Sequence, residues 1–144
     1  MMIRLSALLG LLLALAMGVQ AQAPMTNKDV ISMNVAKVSK SLIEAKIQSS
    51  PTRFDLTTDG LIELETAKIS DGLVKVMMAK TTLTDVMTND DIIKLSNAKV
   101  SKSLISDKIR KSKSKFDTSV EGMIALRNAK VADGIVKDMM VAPK

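Results

Sequence analysis

A four-residue turn sequence that returns at a fixed interval constrains the fold of this chain more than any other feature. Its copies, each 31 residues after the one before, are Ala36-Lys37-Val38-Ser39, Ala67-Lys68-Ile69-Ser70, Ala98-Lys99-Val100-Ser101 and Ala129-Lys130-Val131-Ala132. Apolar residues at helical spacing flank each copy on both sides. A repeat of this length is typical of a small supersecondary unit that stacks on its neighbours. The period therefore predicts an all-α fold of four tandem 31-residue helix-turn-helix hairpins.

Six apolar positions recur in every hairpin, three before the turn and three after it. They are Val30, Ile31, Met33, Leu42, Ile43 and Ile47; Leu61, Ile62, Leu64, Leu73, Val74 and Met78; Ile92, Ile93, Leu95, Leu104, Ile105 and Ile109; Met123, Ile124, Leu126, Ile135, Val136 and Met140. Isolated helices of about ten residues are marginal in water, so the hairpins should pack on one another. We expect the first of the three apolar positions after each turn to be buried in all four hairpins, at Leu42, Leu73, Leu104 and Ile135.

A second, 62-residue period lies over the first. Hairpins one and three follow Thr26-Asn27 and Thr88-Asn89, whereas hairpins two and four follow Phe54-Asp55 and Phe116-Asp117. Two hairpins therefore form the duplicated unit. We predict two similar four-helix units, residues 25–80 and 88–141, joined by a linker at 81–87. The Phe side chains are expected in the core, and the Asp side chains are expected to bond the local backbone.

Local signals mark where the helices should begin and end. Thr26 or Asn27, and Thr57 or Thr58, can cap first helices, while Ser39 and Ser70 can cap second helices. The turn lysines stand just after a helix, where a left-handed conformation is common and Gly is favoured; they are Lys37, Lys68, Lys99 and Lys130. Two interpretations remain open for these lysines. Either they are charged helix ends in solvent, which complement the helix dipole, or they form a row that grips an anionic partner.

The N-terminal 21 residues have the pattern of a secretory signal peptide. Arg4 precedes an apolar run from Leu5 to Val19, and small residues follow it. Cleavage after Ala21 or after Ala23 fits, and we favour Ala21 because Pro24 would lie just past the second site. The alternative, a retained membrane anchor, is disfavoured because about 20 apolar residues are needed to span a bilayer. We therefore expect an exported protein, periplasmic or secreted after cleavage.

Composition excludes the common catalytic and metal-binding chemistries. The chain has 144 residues, 47% of them hydrophobic but only 1% aromatic, and it contains no Cys and no His. A thiolate nucleophile, a thiolate zinc site and the usual general base near neutral pH are therefore absent. The carboxylate pairs Asp90-Asp91 and Glu63/Glu65 are explained by a helix start and by diverging helical side chains. We predict no enzyme activity, no catalytic residue, no cofactor and no metal site.

One basic cluster stands out in a chain of formal charge +6. Five cations lie within eight residues: Lys108, Arg110, Lys111, Lys113 and Lys115. A basic loop at a helix end can bind phosphate, lipid headgroups or acidic polysaccharide. The alternative is a solvated loop without a ligand. We do not expect nucleic acid as a partner, because the chain is predicted to be exported and Phe116 is the one aromatic residue near the loop.

Two further motifs each have a structural and a functional interpretation. The pairs Met77-Met78 and Met139-Met140 end the second and fourth hairpins. Thioethers are soft ligands for Cu(I), but adjacent helical residues diverge by about 100° and cannot chelate together, so core packing is favoured. The hairpins also look like DNA-reading helix-turn-helix units. Any helical-hairpin repeat has this look, and the predicted export argues against DNA.

The repeat carries a resemblance to a known type of module. Met-Thr-Asn-x-Asp-Val/Ile-Ile, then Ala-x-Val-Ser-x-x-Leu-Ile-x-x-Lys-Ile, then Phe-Asp, then Leu-Ile-x-Leu-x-x-Ala-x-Ile/Val-Ser-Asp, resembles a short all-helical module of exported bacterial proteins of unknown function. The resemblance spans Met25 to Met140, and those modules often have Ala-Gly where this chain has Ala-Lys. We expect a non-catalytic protein-binding or structural module of the cell envelope, with an unknown protein partner. The alternative is a binder of anionic surfaces through residues 108–115.

Overall fold

The structure is a computed structural model that describes residues 22–144, and the predicted leader at 1–21 lies outside the described residues. The described residues form eight α-helices and two short strands. In chain order these are α1 Asn27–Val35, α2 Lys40–Ser49, α3 Thr58–Thr66, α4 Asp71–Ala79, β1 Val86–Met87, α5 Asn89–Asn97, α6 Lys102–Lys111, β2 Lys113–Ser114, α7 Val120–Asn128 and α8 Asp133–Met140. The all-α prediction is confirmed.

The helices begin at capping residues that the sequence contains. Thr26 and Thr88 form capping boxes with Asp29 and Asp91, which begin α1 and α5. The hydroxyls of Thr57 and Ser119 cap α3 and α7, and those of Ser39, Ser70 and Ser101 cap α2, α4 and α6. Ala132 stands at the same place before α8 and has no side chain for the role. Caps of this kind satisfy backbone N–H groups that a helix start leaves without partners.

The turn inside each hairpin has the same backbone geometry in all four copies. The turn lysines have φ values of 62°, 60°, 66° and 60° at Lys37, Lys68, Lys99 and Lys130, which is the left-handed conformation common just after a helix. In the first hairpin the Lys37 amide donates to the Asn34 carbonyl at 3.1 Å and the Val38 amide donates to the Met33 carbonyl at 3.0 Å. These two bonds define a Schellman motif. The other three turns repeat both bonds, so the 31-residue period is a backbone period as well.

The hairpins stack into two layers of helices. α1, α3, α5 and α7 pack in succession to form one layer, and α2, α4, α6 and α8 pack in succession to form the other. The contacts of α3 with α5, and of α4 with α6, cross the predicted linker at 81–87, and one hydrophobic core includes side chains from both sides of it. Arrays of this kind have nearest-neighbour interfaces and two ends. The division into units at 25–80 and 88–141 stays a prediction.

Two short parallel pairings, which the sequence did not predict, repeat at 62 residues. β1 and β2 pair in parallel, with Val86 opposite Lys113 and Met87 opposite Ser114. The two halves of the array are hairpins one and two, and hairpins three and four. In the first half, Met25 pairs with Thr52: the Met25 amide donates to the Pro51 carbonyl at 2.8 Å, and the Arg53 amide donates to the Met25 carbonyl at 2.8 Å. Each pairing ties the segment before a first helix to the loop between two hairpins. The predicted linker is therefore partly structured, since β1 is made of its last residues.

One asparagine side chain in each half holds the equivalent loop in place. The Asn27 Nδ2 group donates to the Asp55 carbonyl at 2.7 Å, and the Asp55 amide donates to Asn27 Oδ1 at 3.0 Å. Asn89 makes the same pair of bonds with Asp117, both at 2.9 Å. The aspartate side chains accept from the backbone amides of Thr57 and Ser119. The prediction that Asp55 and Asp117 bond local backbone is confirmed.

The six repeated apolar side chains are buried or half-buried in the two inner hairpins, whereas some of them are exposed in the two outer hairpins. Leu73, Leu104 and Ile135 are buried as predicted, but the prediction is wrong for Leu42, which is 63% exposed because no helix of residues 22–144 lies ahead of α2 in its layer. Three of the apolar positions in the last hairpin, Met123, Ile124 and Met140, are also exposed. Phe54 is buried, and Phe116 is half-buried against the core.

Candidate functional site

The structure separates the five residues of the predicted basic cluster. Lys108 points into the protein and is 0% exposed. Its Nζ donates to the Leu56 carbonyl at 2.7 Å and to the two carboxylate oxygens of Asp85 at 3.0 and 2.8 Å. All three protons of the ammonium thus have partners, as a buried lysine requires. Lys108 thus forms a structural ion pair with Asp85 of the predicted linker, and its ammonium is not accessible to an external anion.

The other four cations of the cluster lie on the surface. The Arg110 guanidinium is hydrogen-bonded to the Asp107 carboxylate one turn earlier on α6. Lys111, Lys113 and Lys115 are exposed. Residues 113 and 115 alternate with the buried Ser114, so their side chains lie on the same side of the strand segment. An exposed set of three lysines remains, which is smaller than the sequence count indicated.

A group of exposed apolar side chains occupies the outer side of the last hairpin. We name it the C-terminal face; its residues are Val120, Met123, Ile124 and Met140. Val120, Met123 and Ile124 are spaced by three and four residues on α7, so they share one side of that helix. Met123 and Met140 line a groove of about 290 Å³ whose rim includes Arg127, Asp133 and Lys137. An apolar surface with a charged rim is typical of an interaction site.

This face was not predicted from the sequence, because its side chains occupy repeat positions that are typical of a core. The burial of these side chains can be compared with that of the equivalent side chains 62 residues earlier. Leu61 and Met78, the counterparts of Met123 and Met140, are both buried. The helices that follow in the array, α5 and α6, pack on α3 and α4, which carry these two side chains. An array of hairpins must leave one such surface at each end, and this could have been expected from the repeat.

The Asp117 carboxylate has a perturbed pKa, and its place in the loop explains the shift. Residues 22–144 contain no cluster of three or more acidic side chains that could hold a metal ion. The Ser119 hydroxyl, and then the Ser119 amide 3.0 Å from Asp117 Oδ1, lower the pKa of Asp117, so this carboxylate is held ionised in a cap. Asp117 is thus explained by its place in the loop.

The methionine pairs are divided between core and surface. Met77, Met78 and Met139 are buried in the hydrophobic core, whereas Met140 lies on the C-terminal face. In both pairs the two side chains occupy different positions on the helix, and no pair forms a soft two-sulfur site by itself. Met77, Met78 and Met139 therefore serve packing, whereas Met140 does not.

The described helices are all short, and none is both long and apolar enough to cross a membrane. No protein-family model, no curated protein and no solved structure matches this chain. The resemblance to a helical module of exported bacterial proteins stays a prediction.

Proposed function

We propose that this protein is an exported, non-catalytic protein-binding module of the cell envelope, which binds its partner through the C-terminal face. The single observation that carries the proposal is the exposure of Met123 and Met140 at positions that are buried in the inner hairpins. The equivalent side chains of the inner hairpins, Leu61 and Met78 among them, are buried in the hydrophobic core. The exposure of Met123 and Met140 in one patch supports a docking role, since soluble proteins seldom leave contiguous apolar surface without a use.

The place of action follows from the sequence rather than from the fold. An apolar run after Arg4, followed by small residues, supports export through a cleaved signal peptide. Removal of that segment leaves 20 basic and 15 acidic side chains, a modest excess of positive charge. A periplasmic or secreted protein partner fits both features.

Site-specific photo-crosslinking in envelope extract of the producing organism tests the proposal. A photoreactive residue at Ile124, on the C-terminal face, should crosslink a protein, and the additional change Met123→Lys should abolish that product. The matched control is a photoreactive residue at Val35, which is exposed but lies outside this face. The proposal fails if Ile124 and Val35 give the same products, or if Met123→Lys leaves the Ile124 product unchanged.

An anionic-surface binder remains the second candidate, because Lys111, Lys113 and Lys115 are exposed together at the C-terminal end of α6. Helix C-terminal carbonyls already favour cations there, so the three lysines also have a structural explanation. Binding to vesicles that contain anionic lipid should weaken with added salt. The triple change of these lysines to Gln should remove it, whereas Lys28→Gln, Lys94→Gln and Lys144→Gln together should not. Binding that ignores salt or survives the first triple change would refute this candidate.

A further inference from the structure

Two sets of repeat positions on the second helices differ in which neighbour covers them. The leading position is Leu42, Leu73, Leu104 and Ile135, and the trailing position is Ile47, Met78, Ile109 and Met140. Leu42 is the exposed member of the leading set, and Met140, at 56% exposure, is the exposed member of the trailing set. A leading side chain is therefore covered by the hairpin before it, and a trailing side chain by the hairpin after it.

The first helices repeat this pattern. Val30, Leu61 and Ile92 are buried, while Met123 at the same position of the last hairpin is 39% exposed. The array thus has two unlike ends. The C-terminal face carries exposed trailing residues. We name the opposite end the N-terminal face; it carries the exposed leading residue Leu42 together with Asp29, Met33 and Lys46.

The boundary between the second and third hairpins shows how these two kinds of surface fit together. There α3 packs on α5 and α4 packs on α6, so the helices that carry the buried trailing residues of hairpin two meet those of hairpin three, including α6 with its buried leading residue Leu104. Polar bonds cross the same boundary. The Thr58 hydroxyl donates to Asp91 Oδ1 at 2.9 Å, the Lys75 Nζ lies 3.9 Å from Asp107 Oδ2, and the Lys108 Nζ donates to the Leu56 carbonyl at 2.7 Å.

The 62-residue repeat carries both halves of that boundary to the ends of the array. On the C-terminal face and its rim, Met123, Met140 and Lys137 correspond to Leu61, Met78 and Lys75. On the N-terminal face, Leu42, Asp29 and Lys46 correspond to Leu104, Asp91 and Lys108. The N-terminal face also contains an open groove of about 460 Å³, lined in part by Met25, Met33 and Lys46. Each end therefore presents the surface that the other end is built to cover.

We propose that the partner of the C-terminal face is the N-terminal face of a second copy of this chain, docked in the register of the boundary between hairpins two and three. This inference rests on the proposed function, because it names the partner of the same face. The contact is heterologous: each copy uses one end to bind and leaves the other free. Heterologous contacts that do not close produce open chains, so the assembly grows with protein concentration.

The contact between copies is weaker than the internal boundary for a reason visible in the sequence. Ala45 replaces Asp107, Val120 replaces Thr58, and Ala23 replaces Asp85, the carboxylate that neutralises Lys108. The polar bonds of the internal boundary thus have few equivalents. Lys46 has no carboxylate to pair with and has to keep its ammonium in solvent at the edge of the contact, so apolar packing of Leu42, Met123 and Met140 is left to hold the copies together. Reversible self-association follows.

Sedimentation velocity on the full chain, after processing by its host, tests the proposal with two charge variants. Leu42→Lys blocks the N-terminal face, and Met140→Lys blocks the C-terminal face. Burying an unpaired ammonium should weaken association by about a hundredfold. The wild type should show species larger than a dimer as concentration rises. Each variant alone should stay monomeric, and an equimolar mixture of the two should form a dimer that does not grow.

The control variant is Val35→Lys, at a position whose counterparts Thr66, Asn97 and Asn128 are exposed in every hairpin. It should associate like the wild type, and circular dichroism should show all variants folded. A wild type that stays monomeric at its highest soluble concentration overturns the inference. So does a Leu42→Lys variant that still dimerises, because that result indicates two identical faces in contact. If the wild type is monomeric but Ile124 crosslinks another envelope protein, this inference fails and the proposed function stands.

Discussion

Lys46 and Lys108 stand 62 residues apart on equivalent helices, in equivalent stretches of sequence, and the structure treats them in opposite ways. Lys46 is exposed at the N-terminal face, whereas Lys108 is buried against Asp85 and the Leu56 carbonyl. Leu42 and Leu104 differ in the same way. Within residues 22–144, the second half has a hairpin ahead of it and the first half has none. A repeated residue thus takes its role from its neighbour in the array rather than from its own surroundings in the chain.

The largest expected effect separates the two lysines. Asp85→Ala leaves the Lys108 ammonium buried with one carbonyl partner, and loss of one partner of a buried pair costs about 3–5 kcal/mol of unfolding free energy. Lys46→Ala removes an exposed charge and should change stability by about 0.5 kcal/mol or less. Urea unfolding of each variant measures both values. Similar losses for the two variants would contradict the different environments of the two lysines.

The leading leucines should differ almost as much. Leu104→Ala opens a cavity under α4 and should cost about 2–4 kcal/mol. Leu42→Ala removes a side chain that is already in solvent and should cost less than about 0.5 kcal/mol. Midpoints of thermal unfolding, taken at low protein concentration where copies do not associate, give the comparison. A costly Leu42→Ala under those conditions would mean that residues ahead of α2 cover this side chain.

Glycine positions test where the two halves agree. A Cβ on Gly60 would lie 2.1 Å from the Asp55 carbonyl oxygen, and one on Gly122 would lie 2.3 Å from the Asp117 carbonyl oxygen. Gly60→Ala and Gly122→Ala should therefore each cost about 1–3 kcal/mol. Gly134 has open space within 4 Å of its Cβ position, and Gly134→Ala should stabilise α8 by about 0.5–1 kcal/mol. Urea midpoints that move in the same direction for all three changes would refute the close approach of the Asp loops.

The smallest effect concerns the caps of the second helices. Ser70→Ala removes the hydroxyl that accepts from the Leu73 amide and should cost about 1 kcal/mol. Ala132→Ser supplies the missing cap of α8 and should add a similar amount. Thermal unfolding of the two variants should give shifts of opposite sign. If Ala132→Ser has no effect, the last helix does not begin as α4 does.

Much of the fold could be predicted because the information is local and repeated. The left-handed lysines follow from their place after a helix, and the caps follow from Ser and Thr before apolar runs. The all-α class follows from four copies of one pattern. The burial of Lys108 could not be predicted, because its partners Leu56 and Asp85 lie 52 and 23 residues earlier in the chain. The count of five cations at 108–115 therefore overstated the basic surface.

The pairing of β1 with β2 was also hidden in the sequence. Two-residue strands have no periodicity to detect, and only the approach of two loops in space creates the hydrogen bonds. The C-terminal face was hidden for a related reason. Met123 and Met140 look like core residues by type and spacing, and their exposure depends on whether another hairpin covers them.

The sequence by itself determined the hairpin, its turn, its caps and its two periods, because each of these depends on residues within a few positions of one another. The tertiary structure alone decided which apolar positions are core and which are surface, and which lysine is buried. The physical reason is that burial belongs to a pair of packed elements. The sequence specifies each side chain, but a neighbouring helix is needed to exclude water from it.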